Sequence, residues 1–382
     1  MLRNNIFIAF FIIGSLTIKG QGVPVIGQTN RLEIGNWNLE WYGKTTAGYG
    51  PDNDSLQQKL IRNILDSTHI DIWGLCEIAD TNAFIKSTQS ISRYRTVFSD
   101  YFPEQKTAIM VDTNFYRIVS YRLLGTQSTD SFSTYRFPLE VNLIPKTNLE
   151  PDTITIIVLH LKSNIGNTTE KMQAYNSRTR SSEWLNMYLN QVHKNNYVAV
   201  IGDWNDDVDL SIYNNLPSPF NILTKNGSNF EFITKKLSNT NISSTVSYFD
   251  FIDHQLLSNK LENCNVNDTA FVIRADKWIN QYGSKVSDHY PVYSSYETPI
   301  YSINKTWVKK LNVYPDPSSS FIQVESHENG QLHIINAQGE NILNLNYLVG
   351  DSIYVGDLAN GIYTLYLQTE NTFFCTKFVV LK

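Results

Sequence analysis

Residues 198–207 read Val-Ala-Val-Ile-Gly-Asp-Trp-Asn-Asp-Asp, an apolar run that ends abruptly in polar residues. The apolar part, 198–201, predicts a strand that is buried on both faces. Gly202 has no side chain, so another part of the chain can approach closely where the strand ends. Asp203 and Asn205 follow and, at this spacing, share one face. The alternative is an ordinary polar turn after a strand.

Other segments combine an apolar strand pattern with polar residues in the same way. They are residues 36–41 (NWNLEW), 71–77 (DIWGLCE), 156–164 (IIVLHLKSN), 250–258 (DFIDHQLLS) and 287–292 (SDHYPV). Each one alone could be a half-exposed strand or a solvated strand end. Together they predict that polar groups gather at the ends of several core strands.

The first two of these segments carry oxygen donors. If the apolar residues of 36–41 face the core, Asn38 and Glu40 face the other way. A carbonyl oxygen and a carboxylate on one face suit a hard cation. Glu77 closes the second strand and is either solvated or a ligand. Cys76, beside it, is expected to be a small buried filler rather than a nucleophile.

The last three segments carry histidines. His160, Lys162 and Asn164 follow an unbroken apolar run and could donate hydrogen bonds to a phosphate oxygen. The alternative is a core histidine and a solvated lysine. A histidine held by a separate carboxylate is the usual general base, and Asp253 and His289 form such a pair if their strands are neighbours.

Apolar spacing predicts helices over 55–66, with Asp54 or Ser55 as N-cap, and over 169–193. Further strands are predicted over 107–111, 138–144, 154–161, 197–201 and 251–257. His254, next to Asp253, is expected to point away from the face of Asp253. The mixture of helices and strands predicts sheets covered by helices.

The chain has 382 residues, a net charge of −5, 42% hydrophobic and 18% charged residues, which excludes whole-chain disorder. The acidic balance gives no chain-wide sign of nucleic-acid binding, although a local basic groove or a bound metal could supply the positive field. The 3 cysteines are far apart, with no CxxC pair, which argues against a zinc ribbon or a disulfide framework.

Both ends of the chain differ from its middle. At the start of the chain a single cation, Arg3, precedes a short apolar run over 6–16, which predicts a signal peptide over 1–20, export and no stable membrane span; a buried helix is the alternative. Residues 299–310 are predicted to be a linker. Residues 311–382 contain only short strands and turns, which predicts a small all-β sandwich. His327 and His333 are expected to be ordinary surface or strand residues there.

Taken in order, these segments resemble the motifs of the endonuclease/exonuclease/phosphatase superfamily, which has the deoxyribonuclease-I-like fold. The resemblance covers roughly residues 32–292 and rests on WNLEW, LCE, HLKSN, GDWND and SDH. It implies an α/β (α+β) domain over 21–298, a four-layer α/β/β/α sandwich, that cleaves phosphate esters with Mg²⁺ or Mn²⁺. Family members often have glutamine in place of Cys76 and phenylalanine in place of Trp204, and neither position needs to do chemistry.

The resemblance also implies roles for individual residues. The implied metal ligands are Asn38, Glu77 and Asp288. The implied catalytic residues are His160, Asp203, Asn205, Asp253 and His289. The implied substrate-side residues are Glu40, Arg136, Lys162 and Asn164. In this scheme Asp203 orients or deprotonates the attacking water, while His289 pairs with Asp253 and contacts the scissile phosphate.

The end of the chain has a resemblance of its own. Residues 312–317 (NVYPDP), 358–363 (LANGIY) and 377–380 (KFVV) resemble a type IX secretion C-terminal sorting domain, with Asp316 where asparagine is usual. This implies contact with the type IX secretion machinery, and a protein secreted by a Gram-negative bacterium or held on its outer surface. The alternative is a carbohydrate- or surface-binding β-module.

These observations predict a secreted, monomeric, metal-dependent phosphodiesterase, specifically an endonuclease of low sequence specificity that acts on DNA, with RNA as a further candidate substrate. Lys162, Lys171, Arg178 and Arg180 could contact phosphates, although a solvated helix face explains the last three equally well.

Two alternatives stay open. One is a secreted sphingomyelinase-like or inositol-phosphate phosphoesterase. An exposed aromatic hairpin would favour a lipid substrate, and Trp278 and Tyr282 are the candidates for one, although core packing explains both residues. Residues 247–251 (SYFDF) stand where inositol phosphatases carry Pro-Trp-Cys-Asp-Arg, which argues against that branch. The other alternative is a non-catalytic adhesin that keeps the fold.

Overall fold

A computed structural model describes residues 23–28, 31–100, 104–132, 135–146, 152–225, 228–240, 242–297, 308–369 and 373–382. The predicted signal peptide over 1–20 and residues 299–307 of the predicted linker lie outside these ranges. Among the helices in these ranges, none is long and apolar enough to cross a membrane.

Two six-stranded sheets form the larger part of the molecule. The first sheet contains β1 (Arg31–Tyr42), β2 (Ile72–Ile78), β3 (Tyr94–Phe98), β4 (Lys106–Asp112), β11 (Phe271–Val272) and β12 (Val292–Glu297). The second contains β5 (Tyr116–Leu123), β6 (Leu139–Pro145), β7 (Ile154–His160), β8 (Tyr197–Asp203), β9 (Phe230–Phe232) and β10 (Asp253–Ser258). Their strand orders are β11-β12-β1-β2-β4-β3 and β5-β6-β7-β8-β10-β9.

Six α-helices accompany the two sheets within the described residues. They are α1 (Asp54–Thr68), α2 (Thr81–Thr88), α3 (Thr168–Val192), α4 (Lys235–Ser238), α5 (Asn259–Glu262) and α6 (Tyr282–Lys285). One core lies between the sheets and joins residues of β1, β2, β4 and β12 to residues of β6, β7, β8 and β10. A second core packs α1, α2 and α6 on the first sheet, and a third packs α3 on the second sheet. The predicted four-layer α/β/β/α sandwich is therefore confirmed.

Most predicted elements are present with small shifts at their ends. The helix predicted over 55–66 is α1, but Asn53 caps it, through a hydrogen bond from the Leu56 N–H (3.0 Å), rather than Asp54 or Ser55. The helix predicted over 169–193 is α3, capped by Asn167 in a reciprocal arrangement with Glu170.

Two further sheets form the C-terminal region. They contain β13 (Val308–Lys310), β14 (Val313–Tyr314), β15 (Phe321–Val324), β16 (Gly330–Ile335), β17 (Asn341–Tyr347), β18 (Ser352–Tyr354), β19 (Gly361–Gln368) and β20 (Phe373–Val380). The sheets, β13-β20-β19-β16-β17 and β14-β15-β18, share one apolar core, as expected for a small β-sandwich. Val308–Lys310, at the end of the predicted linker, already pair with β20.

The close approach expected at Gly202 is present. Gly202 has a φ of +134°, and a Cβ atom there would lie 2.1 Å from the carbonyl oxygen of Leu159 on the neighbouring strand β7. Only glycine fits this combination of left-handed backbone and backbone contact. The contact sets the position at which β8 delivers Asp203.

We expect Gly202→Ala to lower the free energy of unfolding by roughly 3 kcal/mol or more, because the backbone of β7 must move. Gly48→Ala is the matched control, since Gly48 also has a positive φ (+88°) but no neighbour within 4 Å. It should cost only about 1 kcal/mol. Urea unfolding followed by tryptophan fluorescence measures both values; equal losses would show that the contact with Leu159 does not matter.

Candidate active site

Three chemically active side chains lie in one row across the second sheet. β7 and β8 are parallel, with His160 opposite Asp203. β8 and β10 are antiparallel, with Asp203 opposite Asp253. Because residues directly opposite on neighbouring strands point to the same face, the register alone brings the three side chains together.

The first sheet supplies the opposite wall of the site. The Asn38 amide nitrogen donates to Asp203 Oδ2 (2.9 Å) and to Glu77 Oε1 (3.1 Å). Its amide oxygen accepts from the Glu40 N–H (3.0 Å). Asn38 thus bridges both sheets and faces two carboxylates, as its strand position predicts, although in this orientation its nitrogen points at them. Ligation of a metal by its oxygen requires the amide to turn over.

The strand ends around the site have unusual backbone. Glu40, Trp41, Glu77 and Asn205 all have positive φ values, between 49° and 61°. The turn at Glu40 breaks the strand alternation that the sequence predicts for β1. Gln57 of α1 holds this turn, because its side-chain amide donates to the carbonyl oxygens of Leu39 (2.9 Å) and Glu40 (3.0 Å).

One group of side chains has the spacing of metal ligands. Glu77, His160 and Asp203 each offer one ligand atom, and these atoms lie within 4.8 Å of one another. Asp288, implied as a metal residue by the resemblance, is not in this group; its Oδ1 lies 3.9 Å from His289 Nε2. The carboxylate oxygens of half-buried Glu77 and buried Asp203 are the donors that Mg²⁺ or Mn²⁺ prefers, so the residues present fit such an ion.

The carboxylates of the site destabilise one another's charge. The pKa of Asp203 is raised to about 7, mainly because the carboxyl group is buried and also because the Asp253 carboxylate is close. Burial also raises the pKa of Glu77. The pKa of Glu40 rises to about 8 through burial and the charge of Asp288, whose N–H donates to Glu40 Oε2 (2.9 Å). A bound cation would relieve this repulsion.

His289 is held as a charged group. Burial opposes its protonation, but the carboxylates of Asp253 and Asp288 outweigh burial and hold its pKa well above the ordinary value. Its Nδ1 lies 2.7 Å from Asp253 Oδ2, and its Nε2 lies 3.9 Å from Asp203 Oδ2. The Asp253–His289 pair predicted from sequence is therefore present.

The backbone of His289 is fixed from several sides. Its carbonyl oxygen accepts hydrogen bonds from the Trp37 indole (3.0 Å) and the Tyr282 hydroxyl (2.7 Å). Its N–H donates to Ser287 Oγ (3.0 Å), which in turn donates to the Asn38 carbonyl oxygen (2.7 Å). Tyr282 thus has a structural task beneath the site and is not part of an exposed hairpin.

His160 is neutral and faces Arg136. Burial, with the nearby charges of Arg136 and His289, holds the pKa of His160 well below the ordinary value. Arg136 Nη1 lies 3.0 Å from His160 Nε2, and a guanidinium can only donate, so this ring nitrogen accepts. The other guanidinium nitrogen donates to Gln105. Sequence inspection missed Gln105, because a lone glutamine before a strand carries no signal.

The remaining predicted residues lie on the segments that follow β7 and β8. The Asn205 N–H donates to Asp203 Oδ1 (2.9 Å), and its side chain donates to the Leu161 carbonyl oxygen (3.1 Å). Lys162 is half-buried, and burial lowers its pKa. The side-chain oxygen of Asn164 is buried and has no hydrogen-bond partner within the described part of the chain.

Arg178 is neither a phosphate contact nor part of a solvated helix face. It is fully buried and donates to Asp206 Oδ2 (2.9 Å) and to the Lys162 carbonyl oxygen (2.7 Å). This ion pair joins α3 to the two loops that follow β7 and β8. The helical pattern around Arg178 gave no sign of it, because its partner lies 28 residues away.

Other residues match the non-catalytic interpretation. His254 is buried beside Phe232 and Phe251, with Nδ1 2.9 Å from Thr234 Oγ1, and burial lowers its pKa to about 3. Burial raises the pKa of the Cys76 thiol well above the ordinary value, so it is no thiolate nucleophile.

The C-terminal region matches a known protein family. Residues 312–381 match the family model described as "Secretion system C-terminal sorting domain". No curated protein matches the chain.

Several solved structures share the fold of the larger region. An endonuclease/exonuclease/phosphatase from Bacteroides vulgatus has a TM-score of 0.53 and 12% identity, over 70% of this chain and 99% of that one. TDP2 of D. rerio, complexed with single-strand DNA product, has a TM-score of 0.52 and 16% identity, over 70% and 99%. The human Nocturnin catalytic domain, with bound sulfate, has a TM-score of 0.51 and 14% identity, over 70% and 94%. At these identities the likeness establishes the deoxyribonuclease-I-like fold.

We expect Asp253→Asn to lower the pKa of His289 by at least about one pH unit, because a carboxylate in contact favours the charged imidazole. Histidine resonances followed by NMR during a pH titration of metal-free protein measure this value. Asp209→Asn, which removes an exposed carboxylate outside the His289 contacts, is the control. An unchanged His289 pKa in Asp253→Asn would contradict the pairing.

Proposed function

We propose that the chain is a secreted, divalent-metal-dependent phosphodiesterase, and specifically an endonuclease of low sequence specificity that acts on DNA, with RNA as a further candidate substrate. The observation that supports this most is the juxtaposition of a carboxylate–histidine ligand group with a second, charged histidine. Glu77, His160 and Asp203 form the first, and His289 with Asp253 forms the second. A phosphodiester needs both neutralised charge and an activated water, and these two groups supply them.

Glu77 and Asp203 would hold the metal, with Asn38 joining them if its amide turns over. A bound Mg²⁺ or Mn²⁺ neutralises charge that develops on the phosphate and positions the ester. The carboxylates of Asp288 and Glu40 lie next to the metal-ligand group and add negative charge to it.

Asp203 is the residue best placed to take the proton of the attacking water. Its Oδ2 lies 3.6 Å from His160 Nε2 and 3.9 Å from His289 Nε2, so the carboxylate lies between the two histidines. Its Oδ1 is already engaged by the Asn205 N–H, so the carboxylate has a fixed orientation. Asn205 therefore acts as a positioning residue for Asp203, and its amide lies beside the same space.

His289 and Arg136 are the donors best placed for the phosphate oxygens. His289 is charged, and its Nε2 is the ring nitrogen on the side of Asp203. Arg136 carries a permanent charge and contacts His160. His160 was expected to donate to the phosphate, but it must change tautomer to do so from Nε2. Lys162 and Asn164 extend the polar wall.

Export is the second part of the proposal. A sorting domain at the C-terminal end supports passage through the outer membrane by the type IX secretion machinery. Secretion or surface attachment would place the enzyme where extracellular DNA is the available phosphodiester. The signal peptide over 1–20 and the domain limits at 298 and 311 stay predictions.

A lipid phosphodiesterase is the second candidate, and one observation favours it. Tyr248 and Phe249 are 67% and 94% exposed on a loop that contacts the strand end of His289. Exposed aromatic side chains near a phosphoesterase site suit a lipid surface.

We expect the purified protein to nick supercoiled plasmid in Mg²⁺ and to lose this activity with a chelator. His289→Ala and Asp203→Asn should lower the rate on the order of a thousandfold or more, because charge stabilisation or proton removal is lost. Gel electrophoresis of the plasmid over time measures the rate.

His327→Ala and Asp209→Asn are the matched controls, since both residues are exposed and lie away from the carboxylate–histidine group. Both should keep the wild-type rate. Cleavage that persists in His289→Ala would contradict the assigned site. If wild-type protein leaves plasmid and linear DNA intact but hydrolyses sphingomyelin in vesicles, the substrate proposal is wrong.

A further inference from the structure

The loop between α4 and β10 projects two aromatic side chains beside the candidate active site. Phe249 is the most exposed of the large apolar residues described, at 94%, and the neighbouring Tyr248 is 67% exposed. A single exposed apolar residue needs no explanation, but two adjacent exposed aromatic rings form a small apolar patch, and such patches mark binding surfaces. Nothing in the proposed chemistry uses either ring.

This loop is attached directly to the catalytic strand ends. Thr245 forms a bridge with His289, and the Val246 N–H donates to the Asp288 carbonyl oxygen (2.7 Å). Ser244 Oγ accepts the N–H of Asp253 (3.2 Å). Phe249 is four residues from both Thr245 and Asp253, a span of at most about 14 Å. The backbone of Phe249 therefore lies within that distance of Asp253 and of Thr245, the residue bridged to His289.

The backbone at the rings is fixed by its own hydrogen bonds. The Tyr248 N–H donates to Thr245 Oγ1 (3.1 Å), and the same hydroxyl donates back to the Tyr248 carbonyl oxygen (3.3 Å). Ser243 Oγ also donates to that carbonyl oxygen. After the rings, the Phe251 N–H donates to Asp207 Oδ2 (3.0 Å). The rings are thus presented on a preorganised support, which lowers the entropy cost of binding.

The polar flanks of the pair decide between a base and a membrane. Ser247 and Asp250, on either side, are both exposed. Insertion at the acyl boundary of a membrane, roughly 5–10 Å deep, would carry the Asp250 carboxylate into an apolar medium. Stacking of one flat base on the Phe249 ring leaves Asp250 in water. The geometry therefore favours a single planar ligand.

We propose that Tyr248 and Phe249 form a stacking platform for an unpaired base of the strand being cleaved. This rests on the proposed nuclease function and narrows its substrate class to single-stranded or locally unpaired nucleic acid. Bases in a duplex keep their faces against their neighbours, whereas unpaired bases offer a face to an aromatic ring. The platform reads no sequence, because every base has such a face.

The test compares Phe249→Ala, Phe249→Trp and Phe115→Ala. Phe115 is also exposed, at 43%, but lies in the turn between β4 and β5, at the opposite end of the sheets from His289. The substrates are a single-stranded oligonucleotide, its duplex, and an abasic oligomer of the same length. We measure kcat/KM on each with Mg²⁺.

Phe249→Ala should lower kcat/KM on the single strand by about tenfold, the size expected for the loss of one stacked base. The ratio of kcat/KM on the natural single strand to kcat/KM on the abasic oligomer should also fall by about tenfold in this variant. Phe249→Trp should keep the wild-type ratio, and Phe115→Ala should resemble the wild type on every substrate. If Phe249→Ala and Phe115→Ala cleave the single strand equally well, the platform is wrong and the nuclease function stands.

Two further outcomes would also overturn the platform. An equal loss on the abasic oligomer would mean that Phe249 acts on the fold or the backbone rather than on a base. Loss of binding to phosphatidylcholine vesicles in Phe249→Ala, with wild-type binding present, would assign the rings to a membrane instead. If the wild type cleaves none of the oligonucleotides or plasmid, the nuclease function itself fails.

Discussion

The register of three neighbouring strands is the constraint on which the rest of the site depends. His160, Asp203 and Asp253 lie side by side only because β7, β8 and β10 pair without a shift at their ends. A one-residue slip would turn each side chain to the opposite face. The contact of Gly202 with Leu159 and the buried Arg178–Asp206 pair both stand next to this row. They hold the strand ends and the following loops in that register.

The concentration of carboxylates at the site is the second physical constraint on the molecule. Burial is the main cause that raises the pKa values of Asp203, Glu77 and Glu40, and neighbouring carboxylates raise each of them further. The positive charge of His289 offsets only part of this rise. Such a cluster lowers the stability of the fold, because buried charges cost free energy unless they are paired. The excess of carboxylate is what a divalent cation requires, whereas the histidine and the arginine are what a phosphate requires.

Much of this could be predicted from sequence, because apolar runs that end in polar residues are local signals. Sheets covered by helices, α1, α3 and the Asp253–His289 pair followed from such runs, whereas the four-layer arrangement was implied by the resemblance to the endonuclease/exonuclease/phosphatase superfamily. Gln105, Gln57 and the buried role of Arg178 could not be predicted, since each acts through a partner distant in the chain. The turn at Glu40 was also missed, because strand alternation carries no warning of a positive φ. The assigned roles of the individual site residues stay predictions.

The left-handed residues at the site have a consequence for the design of variants. Glu40, Trp41, Glu77 and Asn205 each hold a conformation that costs a non-glycine residue on the order of 1 kcal/mol. A search for thermostable variants would therefore tend to select glycine at these positions. Such variants would gain heat resistance as they lose the carboxylate and amide groups. At these few backbone positions, a substitution that raises thermal stability would therefore lower the proposed activity.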